Sequence, residues 1–116
     1  WFHWAHGALQ EAAANGELDG FGSLHRGLIA TGDRFIGEAA LLQDLRNALP
    51  GLQAVEMEGG AVAQVAEQEG IPWLLIRVIS DGADETAAQN FSTFVQLYEH
   101  KSWGLIEALL RRLDNR

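Results

Sequence analysis

Arg77 and Asp81 lie in an otherwise apolar stretch, LLIRVISDGAD (residues 74–84), and each charged side chain there needs a partner or a ligand. On an extended strand the two side chains project to the same side but start about 13 Å apart, too far for a direct salt bridge. Asp81 ends the apolar run, and ligands of α/β sheets bind beyond the carboxyl ends of strands. Apolar surroundings favour the protonated acid, so Asp81 would suit general-acid catalysis. A purely structural explanation stays open, in which Asp81 caps the following turn and Arg77 pairs with a distant carboxylate.

Glu58 is the second candidate, within AVEMEGGAVAQV (residues 54–65). The pattern places this carboxylate where a strand passes into a helix, and a helix N-terminus favours an ionised acid. An ionised carboxylate only accepts hydrogen bonds, which is what gripping the two hydroxyl groups of a ribose requires. Two glycines follow at once, and close approach of a ligand or a neighbouring backbone would explain them. The alternative is an ordinary glutamate in the first turn of a helix.

Phe35 and Ile36 form a third, weaker candidate in TGDRFIG (residues 31–37), after a strand end and a tight turn. An aromatic ring there could stack on a nucleobase, although such a phenylalanine is more often part of a core. His3 and His6 lack the further ligands that a metal site needs, and no glycine-rich phosphate motif or Ser-His-Asp set is present. We therefore expect no cofactor and no metal.

The elements that must position these residues alternate between helix and strand, which predicts an α/β fold with largely parallel strands. Residues 73–80 are predicted to be a strand buried on both faces, followed by a loop. From about Phe91 to Leu113 we expect one long amphipathic helix with a break near Gly104. Its buried stripe would contain Phe91, Phe94, Val95, Tyr98, Ile106, Leu109, Leu110 and Leu113. The earlier elements are predicted as a helix at 7–15, a strand at 24–31, a helix at 38–49, a strand at 52–57 and a helix at 58–70.

The composition describes a small globular chain without a nucleic-acid footprint. The 116 residues are 47% hydrophobic and carry a formal net charge of −8, whereas a phosphate backbone selects for stripes of Lys and Arg. There is no cysteine, so disulfides and thiolate metal sites are excluded. No apolar run reaches the roughly 20 residues of a membrane span, and no signal peptide is visible. We expect a cytoplasmic protein that binds a small molecule and neither nucleic acid nor membrane.

Three stretches together resemble one family: GLIATGDRFI (27–36), AVEMEGGAVAQV (54–65) and IPWLLIRVISDGAD (71–84). In this order and spacing they are similar to the 5′-methylthioadenosine/S-adenosylhomocysteine nucleosidases of the nucleoside phosphorylase superfamily, which act in methionine salvage. The resemblance covers residues about 27 to 113. It implies that Asp81, aided by Ser80, protonates N7 of the adenine leaving group. It also implies that the glycosidic bond then breaks through an oxocarbenium-like state.

The resemblance also assigns the binding residues. Glu58 would hold the ribose hydroxyls, and Met57 would pack against the sugar. Phe35 would stack on the purine while the backbone of Ile36 reads its edge. Arg77 would lie near the sugar and the attacking water, paired with Glu58.

The same resemblance implies a three-layer α/β/α fold with a central mixed sheet, of which residues 1–116 would be the C-terminal part of a single domain. The carboxylate that activates water would come from the N-terminal half, and the family usually forms homodimers. The absence of an initiator methionine, the few strands and the doubly buried strand agree with a missing half. We therefore expect the isolated chain to be unstable or inactive. The alternatives are a phosphate-dependent purine nucleoside phosphorylase of the same superfamily and a non-catalytic fragment that retains the purine pocket.

Overall fold

The computed structural model describes residues 1–114, so the last two residues of the predicted domain lie outside it. The described chain alternates helices and strands, as predicted for an α/β protein. The elements are α1 (Phe2–Ala14), β1 (Leu28–Thr31), α2 (Ala39–Ala48), β2 (Leu52–Glu56), α3 (Gly59–Gln68), α4 (Ala87–Tyr98) and α5 (Ser102–Leu113).

The chain divides into two compact units, one formed by Trp1–His25 with the chain from Gln96 onward and the other by Arg26–Val95. In the first unit α1 packs against α5 through small apolar side chains. The predicted apolar face of α1 is confirmed at Ala8, Leu9 and Ala12, whereas Ala13 is exposed. The buried residues of these two helices are Ala5, Ala8, Leu9, Ala12 and Ala108.

The second unit is built on a β1–α2–β2 crossover with α3 following at once. β1 and β2 pair in parallel, and α2 supplies the crossover that parallel strands require. The pairing sets Ile29 opposite Ala54 and Thr31 opposite Glu56, so both strands end at the same edge. This edge carries the start of α3, because β2 ends at Glu56 and α3 begins at Gly59.

The predicted strand at residues 73–80 is not formed. Neither β1 nor β2 pairs with these residues, and a strand exists only when its backbone groups bond to a neighbour. Burial on both faces is also not observed, since Ile79 is 61% exposed and Trp73 is exposed as well. The apolar composition of residues 73–80 predicts that other parts of the protein cover them, and the described residues leave several of these side chains exposed.

The predicted long helix is two helices. α4 begins at Ala87, inside the predicted loop, and ends at Tyr98, and α5 starts at Ser102, so the break lies before Gly104. Much of the predicted buried stripe is wrong, because the described residues do not cover these side chains. The exposed members of that stripe are Phe91, Val95, Ile106, Leu110 and Leu113.

Within residues 1–114 no helix combines the length and the apolar character needed to cross a bilayer.

Candidate active site

An open cavity of about 410 Å³ lies in the unit formed by Arg26–Val95. Its lining includes all of β2, from Leu52 to Glu56, and residues that follow the carboxyl ends of β1 and β2, where parallel α/β sheets bind their ligands. All the site residues predicted from the sequence line it, although they come from three separate stretches of chain. They are Phe35, Ile36, Met57, Glu58, Arg77, Ser80 and Asp81.

Asp81 is held in one orientation by donors to both of its carboxylate oxygens. The Ser80 hydroxyl donates to Oδ2 at 2.6 Å, and the Ala83 backbone N–H donates to Oδ1 at 2.8 Å. Ala83 has a φ of 55°, a left-handed conformation that is unfavourable for a residue with a side chain. Such strained positions concentrate at functional sites, although the same geometry is also the turn cap that the structural alternative anticipates.

Arg77 lies between two glutamates that the chain places two residues apart. Its Nη2 donates to Glu58 Oε2 at 2.8 Å and lies 3.6 Å from Glu56 Oε2. The expected pairing of Arg77 with Glu58 is therefore confirmed. The two carboxylates around one guanidinium give this part of the cavity a local charge of −1.

Glu56 is the residue that the sequence analysis missed. Its Oε2 accepts the backbone N–H groups of Glu58 at 3.0 Å and Gly59 at 2.7 Å, and its Oε1 accepts the hydroxyl of Thr31. The side chain is only 4% exposed. Glu56, and not Glu58, is thus the carboxylate that meets the N-terminal donors of α3.

The pKa of Glu56 lies below its usual value. Burial of the carboxyl raises this pKa, but the hydrogen bonds from Thr31, Gly59 and Glu58, together with the charge of Arg77, outweigh it and lower the pKa. The ionised form is therefore the form that the surrounding donors are arranged to hold.

The side chain of Glu58 is far more exposed than that of Glu56. Glu58 occupies the N-cap position of α3 but makes no side-chain capping bond, and its side chain is 66% exposed. Only Oε2 is engaged, by Arg77, so among the described residues Oε1 has no protein donor. An exposed carboxylate with an available oxygen in a cavity is suited to accepting hydrogen bonds from a ligand.

A local signal for Glu56 was present in the sequence. A glutamate as the last residue of a strand, followed closely by the glycine-rich start of a helix, stands within reach of the free N–H groups of the first turn. The glycines agree with this arrangement, since a Cβ on Gly59 would lie 2.8 Å from Glu56 Oε1 and one on Gly60 would lie 3.1 Å from Thr31 Cβ. The close approach is thus made by protein side chains, whereas a ligand or a backbone segment was expected.

The apolar lining consists of side chains that could contact a flat ring and a sugar. Phe35 and Met57 are exposed in the cavity and Ile36 is half-buried, so Phe35 is not part of a core and its ring is available for a stacking contact. A Cβ on Gly37 would lie 3.1 Å from the Phe35 ring, which shows how closely the turn packs against it. In residues 1–114 there is no cluster of three acidic, histidine or cysteine side chains that could hold a metal ion.

Comparison with known sequences identifies the class of protein to which this fold and cavity belong. A profile described as the phosphorylase superfamily matches residues 1–111. The chain therefore belongs to the phosphorylase superfamily, and its α/β fold is the fold of that superfamily.

Within the superfamily the chain is similar to 5′-methylthioadenosine/S-adenosylhomocysteine nucleosidases, which confirms the resemblance seen in the sequence motifs. The enzyme of Geobacillus kaustophilus is 41% identical over 105 residues, which are 89% of this chain and 44% of the relative. The enzyme of Exiguobacterium sp. is 38% identical over 92 residues, which are 79% of this chain and 40% of the relative.

One solved structure makes the same point in three dimensions. The nucleosidase from Neisseria meningitidis, crystallised in complex with methylthio-immucillin-A, matches with a TM-score of 0.77 and 33% sequence identity. The match covers 91% of this chain and 45% of that chain. This chain therefore spans less than half the length of the relatives that it matches.

Replacement of Glu56 by Gln is expected to destabilise the protein more near neutral pH than in acid. Because the pKa of Glu56 in the folded state lies below the ordinary value of 4.5, its ionised form contributes stability above that pH. The contribution is lost as the pH falls through the folded pKa. Urea denaturation of both proteins between about pH 7 and about pH 3 measures the difference in unfolding free energy. A difference that stays constant or grows towards acid pH contradicts the assignment.

Proposed function

We propose that this chain forms part of a hydrolase that cleaves the N-glycosidic bond of 5′-methylthioadenosine and S-adenosylhomocysteine and releases adenine. The observation that carries the proposal is that one cavity collects all the residues that the family resemblance assigns to purine and ribose. The similarity of this chain to 5′-methylthioadenosine/S-adenosylhomocysteine nucleosidases supports the choice of substrate. Asp81, Ser80 and Arg77 would take part in the chemistry, while Phe35, Ile36, Met57 and Glu58 would bind the substrate.

The base side of the site supplies the proton. Asp81 donates it to N7 of the adenine, so that the electron pair of the breaking C–N bond leaves with a neutral base. Ser80 orients the acid through its 2.6 Å hydrogen bond. Phe35 stacks on the purine, a contact worth about 1–3 kcal/mol per base, and the Ile36 backbone meets the purine edge.

The sugar side stabilises the positive charge that develops as the bond breaks. Glu58 accepts hydrogen bonds from the ribose hydroxyls through the oxygen that Arg77 leaves available, and Met57 packs against the sugar ring. Arg77 lies near the attacking water. Water adds to the anomeric carbon and gives up a proton to a carboxylate outside this chain.

The remainder of the enzyme is part of the proposal. Because the chain spans 44% of the Geobacillus relative, we infer that further chain supplies the water-activating carboxylate, and the family resemblance implies an N-terminal half. We also propose that the working enzyme is a homodimer, as the family resemblance implies, and that it is cytoplasmic. The chain alone would then be inactive or unstable. The partners of the site are a nucleoside and water, without metal or cofactor.

Phosphate is the nucleophile in the second candidate function, a purine nucleoside phosphorylase. The phosphorylase superfamily match leaves room for it. The local charge argues against it, because Arg77 is already paired with Glu58 and lies 3.6 Å from Glu56, and two carboxylates repel a phosphate. A non-catalytic protein with the same pocket would bind adenine and release nothing.

Substitution of Asp81 by Asn is expected to lower adenine release by about 10²- to 10⁴-fold, because it removes the general acid. The assay uses 5′-methylthioadenosine and the complemented chain, by which we mean residues 1–116 joined to the part of the Geobacillus kaustophilus enzyme that the match leaves uncovered. Asp44→Asn is the matched control, since Asp44 is exposed on α2 and does not line the cavity.

Three results of this assay count against the proposal. Release that requires added phosphate identifies a phosphorylase. Undiminished release by the Asp81 variant removes Asp81 from the mechanism. Adenine binding without any release by the complemented chain identifies a non-catalytic protein.

Replacing Phe35 by Ala is expected to weaken adenine binding by roughly 10- to 100-fold, since the stacking surface is lost. Phe35→Leu retains an apolar side chain but no aromatic face, so it should recover little of the affinity. Calorimetric titration of adenine into the complemented chain measures both variants. Full affinity in Phe35→Leu would show that only apolar contact matters at this position.

A further inference from the structure

We propose that Glu56, which lies outside the set of residues assigned to substrate, is a positioning residue for the sugar side of the site. Its carboxylate fixes the Glu58 carboxylate and the Arg77 guanidinium in the orientation that meets the ribose. The inference rests on the proposed function and adds a residue to it.

The first support is that protein donors engage both oxygens of the Glu56 carboxylate, which is almost fully covered. Oε2 already accepts two backbone N–H groups and lies 3.6 Å from Arg77 Nη2, and Oε1 accepts the Thr31 hydroxyl. With a side chain only 4% exposed, its contacts are made within the protein. Glu56 and Glu58 carry the same functional group, yet only Glu58 presents an available oxygen to the cavity.

The second support is that the contacts of Glu56 close a ring around the two residues that it would position. Glu56 holds the backbone N–H of Glu58, the side chain of Glu58 accepts from Arg77, and Arg77 returns to within 3.6 Å of Glu56. The orientation of the Glu58 carboxylate is therefore fixed at its backbone and at its tip. Loss of the Glu56 charge would leave Arg77 with Glu58 as its single carboxylate partner among the described residues.

Thr31 ties this ring to the sheet. Its hydroxyl donates to Glu56 and accepts the Gly60 backbone N–H at 3.0 Å, so the end of β1, the end of β2 and the first turn of α3 share one network. Positioning residues work best when they are held by rigid elements, because small displacements of a catalytic group are costly.

A helix cap without any role in the site is the competing explanation, and it differs in what it predicts. A cap that fails loosens α3 and with it the whole cavity, so the contacts to the purine and to the ribose weaken together. A positioning residue for Glu58 and Arg77 affects the ribose side alone. The base side rests on Phe35 and Asp81, and Asp81 is held by Ser80 and Ala83, without a contribution from Glu56. Both residues would contact adenine in the absence of a sugar.

The experiment compares Glu56→Gln, Glu56→Asp and the control Glu69→Gln in the complemented chain. Gln keeps the size but turns one acceptor oxygen into a donor, Asp keeps the charge at shorter reach, and Glu69 is exposed at the end of α3. We expect Glu56→Gln to lower kcat/KM for 5′-methylthioadenosine by about 100-fold and to leave the inhibition constant of adenine unchanged. Glu56→Asp should recover part of the loss, and Glu69→Gln should behave as the unaltered protein.

The inference is overturned if Glu56→Gln keeps the kcat/KM of the Glu69 control. It is also overturned if adenine inhibition weakens in the same proportion as kcat/KM. If Glu56→Gln does not fold, the comparison of Glu56→Asp with Glu69→Gln decides in the same way.

Failure of the proposed function gives a different result, because the unaltered complemented chain would then release no adenine. The positioning role is in that case judged by hydrogen exchange of the Arg77 guanidinium and of the α3 backbone amides. Faster exchange at Arg77 with unchanged exchange along α3 in Glu56→Gln supports it, whereas unchanged exchange at Arg77, or faster exchange all along α3, overturns it.

Discussion

The site depends on the hydrogen bonds of the Glu56 carboxylate, which lies where two strands and a helix meet. Parallel pairing brings Thr31 and Glu56 to the same edge, and the next residues of the chain turn into α3, whose first N–H groups need acceptors. One ionised side chain satisfies these donors and lies beside Arg77. Two residues of the cavity lining contact this arrangement directly, because Glu56 accepts the Glu58 backbone N–H and lies 3.6 Å from Arg77 Nη2.

Two glutamates separated by Met57 thus have opposite tasks because their surroundings differ. Glu56 is almost covered, which raises its pKa, but its protein donors and the charge of Arg77 outweigh the burial and lower the pKa. Glu58 remains exposed with Arg77 as its partner. Asp81, which also lines the cavity, is oriented by Ser80 and by a strained Ala83. The chain therefore fixes its acids with neighbouring side-chain and backbone donors and leaves the space between them to the ligand.

Short-range sequence signals predicted much of this fold, and together with the family resemblance they named residues that line one cavity. The ends of α2, β2 and α3 follow from turn residues and apolar periodicity, and the predicted site residues converge on one cavity. Glu56 was missed although a strand-ending glutamate before a glycine-rich helix start is a local signal; its further bond to Thr31 depends on the pairing of β2 with β1, which no local pattern encodes. The strand expected at 73–80 and the buried stripe of α4 and α5 failed for a related reason. An apolar sequence indicates that a surface is to be covered, but neighbouring chain must be present to bond with it and cover it.

The different roles of Glu56 and Glu58 are tested most directly by a crystal structure of the complemented chain carrying Asp81→Asn, with 5′-methylthioadenosine bound. The substitution keeps the substrate intact, so the contacts to its ribose can be seen. Our account predicts that both ribose hydroxyls donate to Glu58, while Glu56 keeps its bonds to Thr31 and to the backbone of α3. A ribose bound to Glu56, or a Glu58 carboxylate turned away from the sugar, would contradict it.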